Sequence, residues 1–193
     1  MKEHIRCPWG GANEWYIPYH DTEWGLPVHD DQRHFEFLVL EAAQAGLNWL
    51  SILKKREGYR AAYRGFDPVR VARFTEGDFE RLLGDAGIVR NRLKIRSSIN
   101  NAQRYLEVRK EFGSFDAYLW GWTGGKPVVN RWETEKQVPP RTELSDALSK
   151  DLKARGFSFV GSTIIYSHLQ AVGVVNDHLV SCFRWKQVQA RAR

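Results

Sequence analysis

The chain is predicted to be all-α, and three observations carry that reading. Apolar residues recur at i, i+3 and i+4 along most of its length. Helix-start and helix-stop signals stand where those patterns begin and end, as at Thr75 with Asp78 and at Gly156. The intervening segments, Gly10 to Pro27 and Thr123 to Thr142, are rich in glycine, proline and aromatics without clean periodicity. At 193 residues the chain is long enough for one domain with a proper core, and neither internal repeats nor an interdomain linker is evident.

Taken in order, Gly10 to Pro27 reads as a folded loop holding a short helix. Asp31 to Lys55 is strongly helical, with Phe35, Leu38, Val39, Ala42 and Gly46 on one stripe. Its other side, Phe37, Leu40 and Gln44, is hardly polar, so burial nearly all round is expected. Gly58 to Phe66 forms another helix, closed by Asp67-Pro68. Thr75 opens a helix that runs to about Gly84, and a turn at Asp85-Ala86-Gly87 leads into a long helix from about Val89 to Phe112. There Ile95, Ile99, Ala102 and Leu106 make an apolar stripe. Short helices follow at Phe115 to Trp122 and from Ser145 to Arg155. Gly161 to Cys182 is expected to be the last helical region, with an interruption near Gly173, and residues 186–193 a basic, disordered tail.

The formal net charge of +6 favours an acidic partner, with nucleic acid first in line. Eight tryptophans suit either core packing or stacking on bases. No stretch approaches the roughly 20 apolar residues of a membrane-spanning helix, and Met1-Lys2-Glu3-His4-Ile5-Arg6 is not a signal peptide. A soluble, cytoplasmic protein with no membrane partner is expected.

The two cysteines, Cys7 and Cys182, are the only ones in the chain, and each has a histidine nearby: His20 and His178. Two sulfur and two nitrogen donors are the ligand set of a closed tetrahedral zinc site, which would be structural because no position is left for an activated water. His178 and Cys182 are four residues apart and would share a helix face. The alternative is two buried thiols and two satisfied histidines.

The segment from Leu82 to Ile95 joins two helices through a glycine turn and then presents Arg90, Arg92, Lys94 and Arg96. It fits a helix-hairpin-helix that grips a DNA backbone through Gly87, Ile88, Arg90, Arg92 and Lys94. It equally fits a helical hairpin with a solvated basic face. Between Phe37 and Leu50, Glu41 is the sole ionisable group. A carboxylate in so apolar a helix is either ion-paired to an arginine or put to use. With Trp9, Tyr16, Tyr19, Trp24 and Trp49 to complete a pocket, it suits a flat cationic ligand such as an alkylated base.

Five motifs then carry a resemblance: Tyr19-His20-Asp21-x-Glu23-Trp24-Gly25, Leu40-Glu41-x-x-Gln44-Ala45-Gly46-Leu47-x-Trp49, Leu53-Lys54-Lys55-Arg56-Glu57, Asp146-Ala147-Leu148-Ser149-Lys150 and Val175-Asn176-Asp177-His178. From Cys7 to Cys182 the chain resembles the Tag-type 3-methyladenine DNA glycosylase I family. The resemblance implies a single helix-hairpin-helix glycosylase domain over residues 1–185, its hairpin at about 76–112. It implies one structural Zn2+ per chain on Cys7, His20, His178 and Cys182. It also implies a base pocket at Glu41, with Tyr16, Tyr19 and Trp49 around a flipped base and Trp9 and Trp24 lining it. The substrate implied is duplex DNA containing alkylated bases, left with an abasic site and no strand cleavage; a monomer with no protein partner is expected. Fold relatives use an aspartate beyond the hairpin, which this family lacks, and Asp116 reads as part of a helix start and is given no chemistry. Trp15 and the loop 123–142 depart most from the family pattern. The competing classes are a catalytically silent DNA-binding module and a zinc-stabilised RNA-binding protein.

Overall fold

A computed structural model describes residues 4–191. The chain opens with a 3-10 turn at Pro8–Gly11, then α1 at Tyr16–Thr22, the short helix expected in the aromatic loop. α2 spans Asp31–Gln44 and buries every residue from His34 to Ala43, so it is enclosed nearly all round as its composition implies.

The expected single helix from Asp31 to Lys55 is in fact two. α2 stops at Gln44, Gly46 takes φ +74°, and Asn48 starts α3 (Trp49–Ala62) by accepting the Ser51 N–H at 2.9 Å. The break was hidden by the unbroken apolar pattern. The helix expected at Gly58 to Phe66 is likewise redistributed. Residues up to Ala62 belong to α3, while Arg64–Phe66 form a 3-10 turn in which Arg64, Gly65 and Phe66 all have positive φ. Asp67 caps α4 (Pro68–Val71).

α5 (Glu76–Gly84) begins with the Thr75/Asp78 capping box, and a turn carries the chain into α6 (Arg92–Phe112), capped by Asn91. Of the expected α6 stripe, Ile95 and Ala102 are buried while Ile99 and Leu106 are half-buried; Ser98, Asn101, Tyr105 and Val108 complete the inner face. α7 (Phe115–Gly121), α8 (Glu143–Ala154) and α9 (Ser162–Ala171) follow.

Two expectations for the C-terminal part are corrected. Residues 172–182 are not helical: β1 (Val128–Val129) pairs in parallel with β2 (Val175–Asn176), and His178 to Cys182 is turn and coil. The supposedly disordered tail belongs to α10 (Phe183–Arg191), which buries Trp185 and Val188; residues 192–193 lie outside the described part. Val188, the single valine of that tail, joins Trp185 in seating the helix.

A single apolar core runs from Cys7 to Cys182 through α2, α3, α6 and α9. The Trp24–Val28 strip is bound to the end of α9 by Gly25 N–H to the Gln170 carbonyl at 3.1 Å and Val28 N–H to the Val172 carbonyl at 3.0 Å. A Cβ on Gly173 would meet the Leu26–Pro27 backbone, which explains glycine at that crossing.

Candidate active site

Glu41 lies in the last turn of α2 and is 3% exposed, yet no described residue hydrogen-bonds to its carboxylate. Burial alone pushes its carboxyl up to about 8. Among the described residues, no arginine pairs with it. The buried Arg56 instead donates to Glu36 at 2.8 Å and to Glu23 at 2.9 Å.

Glu41 opens onto a cavity of about 430 Å³ whose wall includes Trp9, Tyr16, Tyr19, Trp24 and Trp49. All six pocket residues expected from sequence are therefore brought together, although Trp49 arrives from α3 rather than from the helix of Glu41. Trp9 meets Trp24 edge-on at 4.9 Å and Tyr16 edge-on at 5.7 Å; Tyr19 and Trp49 are 5.5 Å apart, tilted at 50°. Tyr16 is fixed to α3 because its hydroxyl accepts the Leu50 N–H at 3.1 Å. The buried indole N–H of Trp49 has no partner. The cavity wall thus carries an unpaired acceptor and an unpaired donor, each costly to bury.

Other wall residues were given no pocket role from sequence: Gln44 and Asp177, which stand in the family motifs, and Glu135, Ser167 and Gln170. Asp177 is buried and accepts from Asn130 at 2.6 Å, Trp132 Nε1 at 2.7 Å, Gln170 at 2.7 Å and the Tyr166 hydroxyl. Its place in the Val175–His178 motif was a signal. That the 130–132 loop returns to hold it was not, since loop geometry leaves no period in sequence.

Behind the aromatic wall, Cys7, His20, His178 and Cys182 are all buried, and their ligand atoms lie within 4.8 Å of one another. Cys182 Sγ is 3.5 Å from His20 Nε2 and 3.6 Å from His178 Nδ1, and Cys7 Sγ is 3.7 Å from His178 Nδ1. Tetrahedral zinc, with bonds of about 2.3 Å to sulfur and about 2.0–2.1 Å to nitrogen, sets sulfur and nitrogen ligands roughly 3.5 Å apart. The outer imidazole nitrogens are also fixed. His20 Nδ1 bonds Asp21 at 2.8 Å, itself gripped by Arg6, and His178 Nε2 donates to the Trp24 carbonyl at 3.0 Å. Donor set, spacing and outer partners all fit a metal ion.

The hairpin gives a mixed result. Arg90 and Arg92 are exposed, and Arg92 lies over the Phe79 ring at 5.0 Å. Gly87 sits in the turn, its N–H taken by Asp85 at 2.7 Å. Two of the expected DNA-contacting residues turn their side chains inward. The Ile88 side chain is 2% exposed and belongs to the core, with its N–H bonded to the Asp85 carbonyl at 3.3 Å. Lys94 turns its ammonium inward onto the carbonyls of Ala43 at 2.8 Å and Ala45 at 2.6 Å, which take two of its three donors. Asp116, given no chemistry from sequence, sits at the start of α7 and holds His34 at 3.0 Å and His29 at 3.1 Å, away from the cavity wall.

The sequence model of the methyladenine glycosylase family matches residues 9–185. The chain belongs to this family. Among its relatives, DNA-3-methyladenine glycosylase 1 of Escherichia coli (strain K12) is 50% identical over 177 residues, 92% of this chain and 95% of that protein. DNA-3-methyladenine glycosylase of Haemophilus influenzae is 45% identical over 177 residues, 92% of this chain and 96% of that protein. A crystal structure of a 3-methyladenine DNA glycosylase I superposes with TM-score 0.89 at 47% identity, covering 93% of this chain and 98% of that one. The Staphylococcus aureus glycosylase I, solved to explain 3-methyladenine recognition, superposes with TM-score 0.89 at 39% identity, covering 92% and 95%. For this member of the methyladenine glycosylase family, the matched stretch contains every cavity-wall residue but Cys7, and three of the four clasp residues.

Proposed function

We propose that the chain is a DNA-3-methyladenine glycosylase that hydrolyses the N-glycosidic bond of a base flipped out of alkylated duplex DNA. The observation that carries this reading is Glu41, a buried carboxylate without a partner on the wall of an aromatic cavity. A catalytically silent DNA-binding module with the same hairpin has no use for so costly a group.

The chemistry asked of the protein is modest. A 3-methylated adenine is cationic while still bound to its sugar, and its glycosidic bond is weak for that reason. Entry of that cation beside Glu41 turns an isolated buried acid into an ion pair and lowers its carboxyl again. Neutral adenine brings no such compensation, and it remains stacked and paired in the duplex. Tyr16 and Trp49 stack on the base, Tyr19 packs beside it, and Trp9 and Trp24 close the cavity. Glu41 accepts hydrogen bonds from the adenine edge. Water captures the oxocarbenium-like sugar and leaves an abasic site. The described cavity wall contains no lysine, which fits a reaction without Schiff-base formation and without strand cleavage.

Cys7, His20, His178 and Cys182 would hold a single zinc ion, which when bound supplies a closed structural cross-link and no open coordination position. Their place behind Trp9 and Trp24 makes them the support of the pocket wall. At the DNA-facing hairpin, Arg90 and Arg92 contact phosphates, together with the unpaired N–H groups at the start of α6.

The test is release of 3-methyladenine from methylated duplex DNA, by the wild type and by Glu41→Ala and Trp49→Ala. The expected result is release by the wild type and losses of at least about 100-fold in both variants, the scale of a transition-state contact worth ~3 kcal/mol. Folded, metal-loaded wild type that binds duplex DNA and releases no alkylated base would return the silent module to first place.

A further inference from the structure

We infer that Lys94 is a positioning residue: it fastens the DNA-facing hairpin to the end of the helix that presents Glu41, so that backbone engagement and base seating share one rigid frame. The inference rests on the reading of the cavity as a base pocket, and it replaces the phosphate contact that the basic run around Lys94 suggests.

The geometry is specific. α2 ends at Gln44, whose carbonyl accepts the Leu47 N–H at 2.7 Å; a helix end leaves several further carbonyls without an intrahelical donor. Lys94 Nζ supplies donors to Ala43 and Ala45 at 2.8 and 2.6 Å, across 51 and 49 residues of sequence. A surface lysine ordinarily keeps its ammonium in water; this one gives its donors to a helix end, where positive charge is also favoured by the helix dipole. The hairpin turn is fastened on its other side to α3. Lys55 Nζ donates to the Ala86 carbonyl at 2.6 Å, and the Val89 N–H donates to the Tyr59 hydroxyl at 3.1 Å. Between them Gly58 lies so close that a Cβ there would fall on the Gly87 carbonyl oxygen.

The hairpin is therefore bolted to two of the elements that feed the cavity: to α2, with Glu41 and Gln44, and to α3, with Trp49. A force applied by DNA at Arg90 and Arg92 is carried to the α2–α3 junction through these bonds. The Lys94 ammonium bonds the Ala43 and Ala45 carbonyls and not the Glu41 carboxylate, so Lys94 acts on Glu41 through placement.

The test compares wild type, Lys94→Met and Tyr59→Phe in three measurements: single-turnover excision of 3-methyladenine from duplex DNA, affinity for undamaged duplex against salt concentration, and binding of free 3-methyladenine by tryptophan fluorescence. Lys94→Met keeps the stem and removes the donors. The expected result is a fall in excision rate of about 10-fold or more, with duplex affinity and free-base binding each within about twofold. The slope of log K against log salt stays unchanged. Weaker duplex binding with the slope reduced by about 0.9, the signature of one lost phosphate contact, overturns the inference. So does a proportional fall in all three measurements, which marks a general loss of structure. If Lys94→Met does not fold, Tyr59→Phe cuts the second tie without removing bulk, and an undiminished excision rate there overturns the inference as well. Excision by the wild type tests the proposed reaction itself; the variant-to-wild-type ratios test Lys94.

Discussion

His178 donates its Nε2 hydrogen to the backbone carbonyl of Trp24 at 3.0 Å, which leaves Nδ1 bare and facing both cysteines. One imidazole thus belongs at once to the Cys/His clasp and to the backbone of a pocket residue. The tautomer that serves the pocket wall is also the one a metal requires.

Removal of metal should therefore be felt in the pocket. Purified protein is expected to contain one zinc per chain by elemental analysis. Chelation, or Cys182→Ser, is expected to lower the melting temperature by about 10 °C, corresponding to ~3–5 kcal/mol for a chain of this size. Free-base binding should weaken in parallel. Full base binding by demetallated, folded protein would separate the clasp from the pocket.

Glu41→Gln is expected to abolish most excision and to change how stability depends on pH. The Glu41 carboxyl rises from its ordinary 4.5 to about 8 in the folded chain. Between those values the folded state holds a proton that the unfolded state releases. The group's contribution is fully present below about pH 4.5 and is withdrawn as pH rises through 8. Glutamine has no proton to lose, so the variant should gain on wild type by on the order of 1–4 kcal/mol at pH 9 and by little at pH 4.5. Urea denaturation at the two pH values checks this, and parallel curves would contradict the buried, unpartnered state of Glu41.

Trp49→Phe isolates the indole N–H. That donor is buried without a partner in the empty cavity, so its removal is expected to leave stability unchanged or to raise it by up to about 1 kcal/mol. Excision is expected to fall by about tenfold or more, since the donor is then missing when the base is seated. Thermal melts and single-turnover assays on the same preparation test both halves.

The core carries a second pH-dependent group that is not part of the cavity wall. His168 is buried with neither ring nitrogen bonded, and burial pushes its pKa down to about 3. The unfolded chain takes up this proton near 6.5, so stability should decline as pH falls from 6.5 toward 3. His168→Leu is expected to remove about 3 kcal/mol of the wild type's loss between pH 7.5 and pH 4. Equal acid sensitivity in the two proteins would exclude His168 as the cause.

What was legible in the sequence is the chemistry-bearing set: the four clasp residues and the six aromatic and acidic pocket residues converge as expected. What was not legible depends on where the backbone turns. The end of α2 was masked by continuous apolar residues, even though Asn48 with Ser51 is a cap signal. His178 and Cys182 are four residues apart without sharing a helix. The Asn176 side chain accepts the His178 N–H at 3.2 Å and holds a turn there instead. Lys94 reads as one more cation in a basic run, because nothing in one dimension reveals that an α2 carbonyl pair waits for it. The tail was misread because Trp185 and Val188 supply the apolar face of α10 across the nominal boundary at residue 186.

The clasp's four side chains come from residues 7–20 and 178–182, with the cavity wall assembled in front of them. During synthesis, the N-terminal aromatic loop therefore waits, unsupported, for nearly the whole chain to leave the ribosome. Helices α2 to α9 can collapse as they emerge, but the wall that carries Trp9 and Trp24 closes only after Cys182 arrives. A nascent chain stalled short of that cysteine lacks the last of the four side chains that close the cavity wall from behind.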